Sequence, residues 1–259
     1  PATVMDQDKG GAGQIAIRLP AEVKDTLSLE QRYAFGFDIV AAGDSAIRMN
    51  IASDDADYKE MIERNYTVLF VGTATLKATD ASCKSSDPSY DFTKLPKKVN
   101  FRFGLTKAVT YSNCQNPDNT AAAIEGEEFQ RGIQLLSNAP TLAQITIHTD
   151  HLFWPTVNHG AVPMFNQFAA NAKISQETAS VSLEDLQTVP IAPVTDSSGK
   201  PLPWRSCVSA DRYQLPTSPT TAVFETAGQP LNNLAQFVAF NGSTMGHLNA
   251  DGICHVAVH

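Results

Sequence analysis

Tyr66-Thr-Val-Leu-Phe-Val-Gly-Thr-Ala-Thr-Leu76 is the stretch whose reading decides the fold. β-Branched and aromatic side chains fill it and charge is absent, a composition that suits a pleated, part-buried strand. Val99-Asn-Phe-Arg-Phe-Gly-Leu105 follows with apolar and polar residues alternating at period two, which predicts a strand with one buried face. Further strands are expected at residues 14–19, stopped by Pro20, and at 33–40, 46–51, 108–111 and 253–259. Two hairpins are predicted: 33–40 with 46–51 across Gly43-Asp44, and 132–136 with 143–148 across Ser137-Asn-Ala-Pro140.

Helical signals are fewer and lie mostly toward the C-terminus. Residues 54–63 open on Asp54-Asp55, and acidic groups are favourable at a helix start. Ser28 with Gln31 has capping-box spacing. Residues 162–172 show apolar positions at helical spacing with Pro163 in the first turn, and 182–186 and 231–240 read as helices too. The architecture inferred is mainly β: an antiparallel β-sandwich over about residues 14–152. A helical and loop-rich insertion at about 154–250 returns a last strand to the sheet. Residues 1–13 read as a flexible lead, and 14–259 as a single domain.

The composition narrows the class. Of 259 residues, 42% are hydrophobic and 18% charged, and the formal net charge is −8. That charged share is low against roughly 25% for an average globular chain. An acidic chain makes a poor partner for a phosphate backbone, so no nucleic-acid partner is expected. The one basic run, Lys94 to Arg102, reads as a solvated strand face. No apolar run reaches the ~20 residues of a membrane span, so no transmembrane segment is expected.

Four cysteines, Cys83, Cys114, Cys207 and Cys254, are widely spaced and form no Cys-x-x-Cys pair. Zinc-ribbon and redox-motif readings therefore fail, and two disulfides in an oxidising compartment are expected. Sequential pairing, Cys83 with Cys114 and Cys207 with Cys254, closes the shortest loops and is the expected connectivity. The polar start from Pro1, with no initiator Met, is consistent with a chain trimmed after export. An extracytoplasmic location, whether periplasmic, cell-surface or secreted, is expected on these grounds.

Motifs for most enzyme classes are missing: no Gly-x-Ser-x-Gly elbow, P-loop, His-Glu-x-x-His or Rossmann fingerprint occurs. Asp6-Gln-Asp8 lacks the third and distal oxygens of a calcium loop. Histidines remain. All six, His148, His151, His159, His247, His255 and His259, fall in the last part of the chain. Three of them and Trp154 crowd into Ile145-Thr-Ile-His148-Thr-Asp-His151-Leu-Phe-Trp-Pro-Thr-Val-Asn-His159.

In a continued strand His148 and His151 point to opposite faces and cannot chelate one ion. The candidate site therefore depends on a break in strand phase at Thr149-Asp150, which would leave Ile145 and Ile147 facing the core and let the two rings meet. A third ligand is expected from His247 or His255, with Asp150 in or next to the coordination shell. Such a set suits Zn²⁺ or Cu²⁺. His255 and His259 would stand ~13 Å apart along a strand at ~3.4 Å per residue, so at most one of them joins.

Trp154 and Trp204, each beside a proline, read as packing residues, with an exposed aromatic platform as the alternative. The functional reading is a binding protein that takes copper or zinc, or a partner at the cell surface, through the histidine edge. Two alternatives stand beside it: an accessory subunit of a surface assembly, and a metal-assisted hydrolase or oxidase with Asp150 or Asp251 as base.

Overall fold

The structure is a computed structural model that describes residues 3–5, 27, 31–43, 45–76, 89–118, 127–136, 141–155, 164–191, 195–200, 224–225 and 231–259. The expected strand at 14–19, the Ser28 helical start, Cys83, Cys207, Trp204, His159, Pro163 and the Asp6–Asp8 loop lie outside these residues. Among the described residues strand predominates over helix, pairing is mostly antiparallel, and the sheets do not close into a barrel. No helix among the described residues is long and apolar enough to cross a membrane.

Strands β1 (Thr3–Met5), β2 (Arg32–Tyr33), β3 (Phe37–Ile39) and β4 (Ile47–Met49) come before helix α1 (Ala56–Glu63). Then follow β5 (Val68–Thr75), β6 (Lys98–Leu105), β7 (Val109–Ser112), β8 (Ile133–Gln134) and β9 (Ile145–Ile147). A 3₁₀ helix at Thr149–Phe153 leads to α2 (Asn166–Asn171), β10 (Lys173–Ser175), β11 (Thr178–Ser182) and α3 (Leu183–Leu186). The chain ends with β12 (Phe224–Glu225), α4 (Leu234–Ser243), β13 (Gly246–Leu248), β14 (Gly252–Ile253) and β15 (His255–Val258).

The two stretches that decide the fold pair as expected. β5 and β6 run antiparallel over their full length, from Val68 opposite Leu105 to Thr75 opposite Lys98. Their shared inner face brings Phe70 opposite Phe103, and Phe103 and Val99 are fully buried. On the outer face Arg102 donates from Nε to Glu60 at 2.9 Å and from Nη2 to Asp57 at 2.7 Å. This ties α1 to the sheet and commits the strongest cation of the basic run. Asp55 caps α1 by accepting from the amides of Asp57 and Tyr58.

β11 adds to β6 in parallel and β10 to β11, giving the sheet order β10-β11-β6-β5. Over it pack α2, α3 and α4, with Phe168, Leu186, Leu234, Phe237 and Val238 almost wholly excluded from solvent. Burying each such side chain contributes about 1.5–3 kcal/mol. The Ser182 hydroxyl and Asp185 carboxylate form the capping box that starts α3. α2 begins at Asn166, later than the expected start at residue 162.

A second sheet, β12-β15-β7-β3, holds a smaller core of Val109, Tyr111, Leu248, Val256 and Val258. The last strand does return to the sheet, antiparallel to β7 with His255 opposite Ser112. A third sheet, β14-β13-β9, joins the two cores. Met245, just before β13, belongs to the larger core and Leu248, at its end, to the smaller one.

Several expectations are corrected. The segment 33–40 does not form a hairpin with 46–51: β3 pairs with β7, and β4 pairs in parallel with β1. Phe37 stacks on Tyr111 with ring centroids 4.6 Å apart, burial that an isolated hairpin would not offer. β1 is the part of residues 1–13 that the structure describes. The second hairpin fails likewise, because β8 pairs with β2 and β9 with β13.

The disulfide expectation is corrected as well. Cys114 is bonded to Cys254, which rules out both sequential bridges. The shortest-loop argument ignored strand pairing: β15 lies against β7, and both cysteines sit fully buried at the end of that ladder. The bridge spans 140 residues of sequence. Peptide mapping of the unreduced chain is expected to recover a fragment linking Cys114 to Cys254; one linking Cys207 to Cys254 would contradict the fold. Cys114→Ala with Cys254→Ala is expected to lower unfolding stability by about 2–5 kcal/mol in urea titration, given the long loop released.

Candidate metal centre

The site is built where β9 ends. His148 donates its backbone N–H to the Met245 carbonyl at 2.9 Å, the last rung of the β9–β13 ladder. Beyond it the chain turns into the 3₁₀ helix at Thr149–Phe153, with His148 as the extended residue at its start. The phase break on which the histidine pair depends is therefore present. One part of the strand phase differs: Ile147 packs against the larger core, whereas Ile145 is half exposed.

A 3₁₀ helix has three residues per turn, so side chains at i and i+3 stand over one another. His148, His151 and Trp154 follow this spacing. The rings of His148 and His151 have centroids 5.7 Å apart, and His151 stacks on Trp154 at 3.8 Å. Asp150 is brought back toward the same place by the Trp154 indole, whose Nε1–H donates to Oδ2 at 3.2 Å. Trp154 is buried, so it acts here as packing and orienting residue and not as an exposed platform.

Strand β13 contributes from the other side. His247 lies opposite Thr146 of β9, and its ring centroid is 4.5 Å from that of His148 and 5.4 Å from that of His151. The neighbouring Gly246 permits a close approach: a Cβ there would fall 2.6 Å from the Tyr111 ring and 2.8 Å from that of Phe37. Burial pushes the Tyr111 phenol well above its ordinary range, against a smaller opposing effect from the Gly246 backbone. Tyr111 packs as a wedge under β13.

One potential donor atom from each of His148, Asp150 and His151 lies within 4.8 Å of the others. Bonds of about 2.0–2.2 Å place two ligands of a tetrahedral ion about 3.4 Å apart, so modest side-chain movement closes the set. Two imidazoles and a carboxylate are the donor chemistry of zinc or copper. Depth is graded: His151 is buried, His148 half-buried and Asp150 exposed. The group opens to solvent on the carboxylate side.

The other sequence candidates are not gathered here. His255 lies on β15 opposite Ser112, and His259 Nε2 meets Thr110 Oγ1 at 3.1 Å. Asp251 is exposed in the β13–β14 turn and is not one of the clustered donors. No family model, curated protein or solved structure matches the chain. The chemistry of the site is therefore read from its own donors.

Two contacting residues escaped the sequence reading. Thr244 Oγ1 lies 3.0 Å from His151 Nδ1, and the Ala250 carbonyl accepts from His148 Nε2 at 2.7 Å. Neither has a motif, since both come from a segment about a hundred residues downstream. Ala250 also adopts φ +73°, a left-handed conformation unusual for alanine. Its N–H donates to Thr146 Oγ1 at 3.0 Å, and Asn249 beside it exchanges bonds with Gln144. The turn is pinned from both sides in a conformation that costs about 1–2 kcal/mol for an L-residue. Ala250→Gly removes that cost but adds about 0.4–1 kcal/mol of unfolded-state entropy. Its urea midpoint is expected to equal or exceed that of the parent, while Ala250→Val falls below both; a clear loss for Ala250→Gly would contradict the strained turn.

Proposed function

We propose that this chain is a non-enzymatic, extracytoplasmic metal-binding protein that takes Zn²⁺ or Cu²⁺ at the end of β9. The observation that carries this reading is the convergence of His148, Asp150 and His151 within 4.8 Å. His247, whose ring lies 4.5 Å from that of His148, lines the site in the position that the sequence left open between it and His255, outside the 4.8 Å donor set. The Cys114–Cys254 bridge favours an oxidising compartment. In the same reading the two four-stranded sheets act as a sandwich-like framework, and the 3₁₀ turn that leaves the third sheet carries the ligands.

A structural role for these histidines would be met by one hydrogen bond each. It would not call for two imidazoles and a carboxylate within 4.8 Å of one another at one strand end, open to solvent on the carboxylate side. The open side suits an ion that is acquired and released, since closed four-ligand shells are the mark of purely structural zinc. No sequence motif places a nucleophile or second acid with the group, and binding is the reading we favour over hydrolysis or oxidation.

Elemental analysis of protein purified without a chelator or histidine tag tests this directly. Near-stoichiometric zinc or copper is expected, and its loss in the His148→Ala, His151→Ala double variant. Added Zn²⁺ at about a hundred times its Kd is expected to stabilise the parent by ~2.7 kcal/mol and to leave the double variant unchanged. Metal-free protein whose unfolding ignores both ions would overturn the reading.

A further inference from the structure

His148 and His151 are engaged through opposite ring nitrogens. His148 uses Nε2, 2.7 Å from the Ala250 carbonyl oxygen. A carbonyl has no proton to give, so Nε2 carries the hydrogen and the lone pair of the neutral ring is on Nδ1. His151 uses Nδ1, 3.0 Å from the hydroxyl of Thr244. A hydroxyl can donate or accept, but this one has its single proton committed. Thr244 Oγ1 donates to the Asn241 carbonyl at 2.8 Å, an acceptor with no hydrogen of its own. It can therefore only accept from His151, which puts the hydrogen on Nδ1 and the lone pair on Nε2.

A metal binds an imidazole through its lone pair, and the hydrogen bond made by the other nitrogen decides which atom that is. We propose that Thr244, held by the Asn241 carbonyl, and the Ala250 carbonyl are positioning groups that impose opposite tautomers on the two histidines. A borderline divalent ion, Zn²⁺ or Cu²⁺, is then taken through Nδ1 of His148 and Nε2 of His151. This rests on the metal reading above and specifies how that site is prepared.

The arrangement is economical in sequence. Asn241 lies in the last turn of α4, Thr244 closes that helix, and Ala250 sits in the turn after β13. His247 lies between them, so one short segment carries both orienting oxygens and an imidazole. Asn241, Thr244 and His151 are all buried, where hydrogen bonds are stronger and a misplaced proton costs more than at the surface. The His148 bond is exposed but is backed by the pinned Ala250 backbone.

Long-range ¹H–¹⁵N correlation spectra of the metal-free chain, recorded above the imidazole titration range, read the tautomers without any variant. His148 is expected as the Nε2–H form and His151 as the Nδ1–H form; His151 protonated on Nε2, or an even mixture in either ring, overturns the proposal. Titration with Zn²⁺ then compares the parent with Thr244→Val and Thr244→Ser. The valine is expected to weaken affinity by about 10- to 100-fold and the serine to restore it. Equal affinity for parent and valine variant overturns the positioning role. A parent that shows the expected tautomers yet binds neither Zn²⁺ nor Cu²⁺ overturns the metal reading and the positioning role with it. A valine variant that fails to fold leaves the spectrum of the parent to decide.

Discussion

The hydrogen bond from the His148 amide to the Met245 carbonyl is the point on which the site depends. It is the last rung of the β9–β13 ladder, and it separates two kinds of geometry. On one side, strand register places His247 opposite Thr146 and so beside the end of β9. On the other, the chain leaves extended geometry for a 3₁₀ turn that brings the His151 ring to 5.7 Å from that of His148. One residue further along, continued pairing would send the two rings to opposite faces. One residue earlier, the turn would start before His148 and draw it away from β13.

The rung is held by the cores on either side of it. Met245 and Leu152 are buried with the helices over the β10-β11-β6-β5 sheet, while Leu248 is buried with Tyr111 and Val256. β13 is thus anchored at both ends in different apolar clusters, with His247 between them. The Asn241 amide donates to the Trp154 carbonyl at 2.9 Å and fastens the end of the 3₁₀ helix to α4. A slip of β13 by one residue would exchange its faces, taking Leu248 out of the smaller core and His247 away from the end of β9. The position of the imidazoles is therefore a consequence of core packing, which resists small displacements far more strongly than a surface loop does.

What could be read from sequence follows how local the governing interaction is. The β5–β6 pair was legible because its composition and period two are contained in each strand. The capped helices α1 and α3 were legible because a cap is settled within a few residues of Asp55 or Ser182. Pairing partners were not legible. Residues 33–40 and 46–51 look like a hairpin across a Gly-Asp turn, yet the energy lies in Phe37 reaching Tyr111, a contact invisible to local pattern. The disulfide failed for the same reason, since the shortest loop is a local argument and Cys114 meets Cys254 through the return of β15. At the site, the break after His148 could be expected from the run Leu152-Phe153-Trp154. The spacing of three among His148, His151 and Trp154 was also there to be seen as a 3₁₀ face.

Thr244 and Ala250 show where sequence reading ends on physical grounds. A hydroxyl and a backbone carbonyl are among the commonest groups in any chain, and their significance here lies wholly in direction. Thr244 matters because its proton is already committed to Asn241, and Ala250 because its left-handed backbone is held by Thr146. Apolar residues at these ring positions would have packed at the junction of the two cores without a strained alanine or a committed hydroxyl. Strain that persists in a folded chain needs surroundings that enforce it, and such strain gathers at sites that do something. The strained Ala250 backbone supports His148 and the buried Thr244 supports His151, one orienting group for each ring of the candidate centre. That coincidence distinguishes these rings from the ordinary satisfied histidines of a β protein, such as His259 on Thr110.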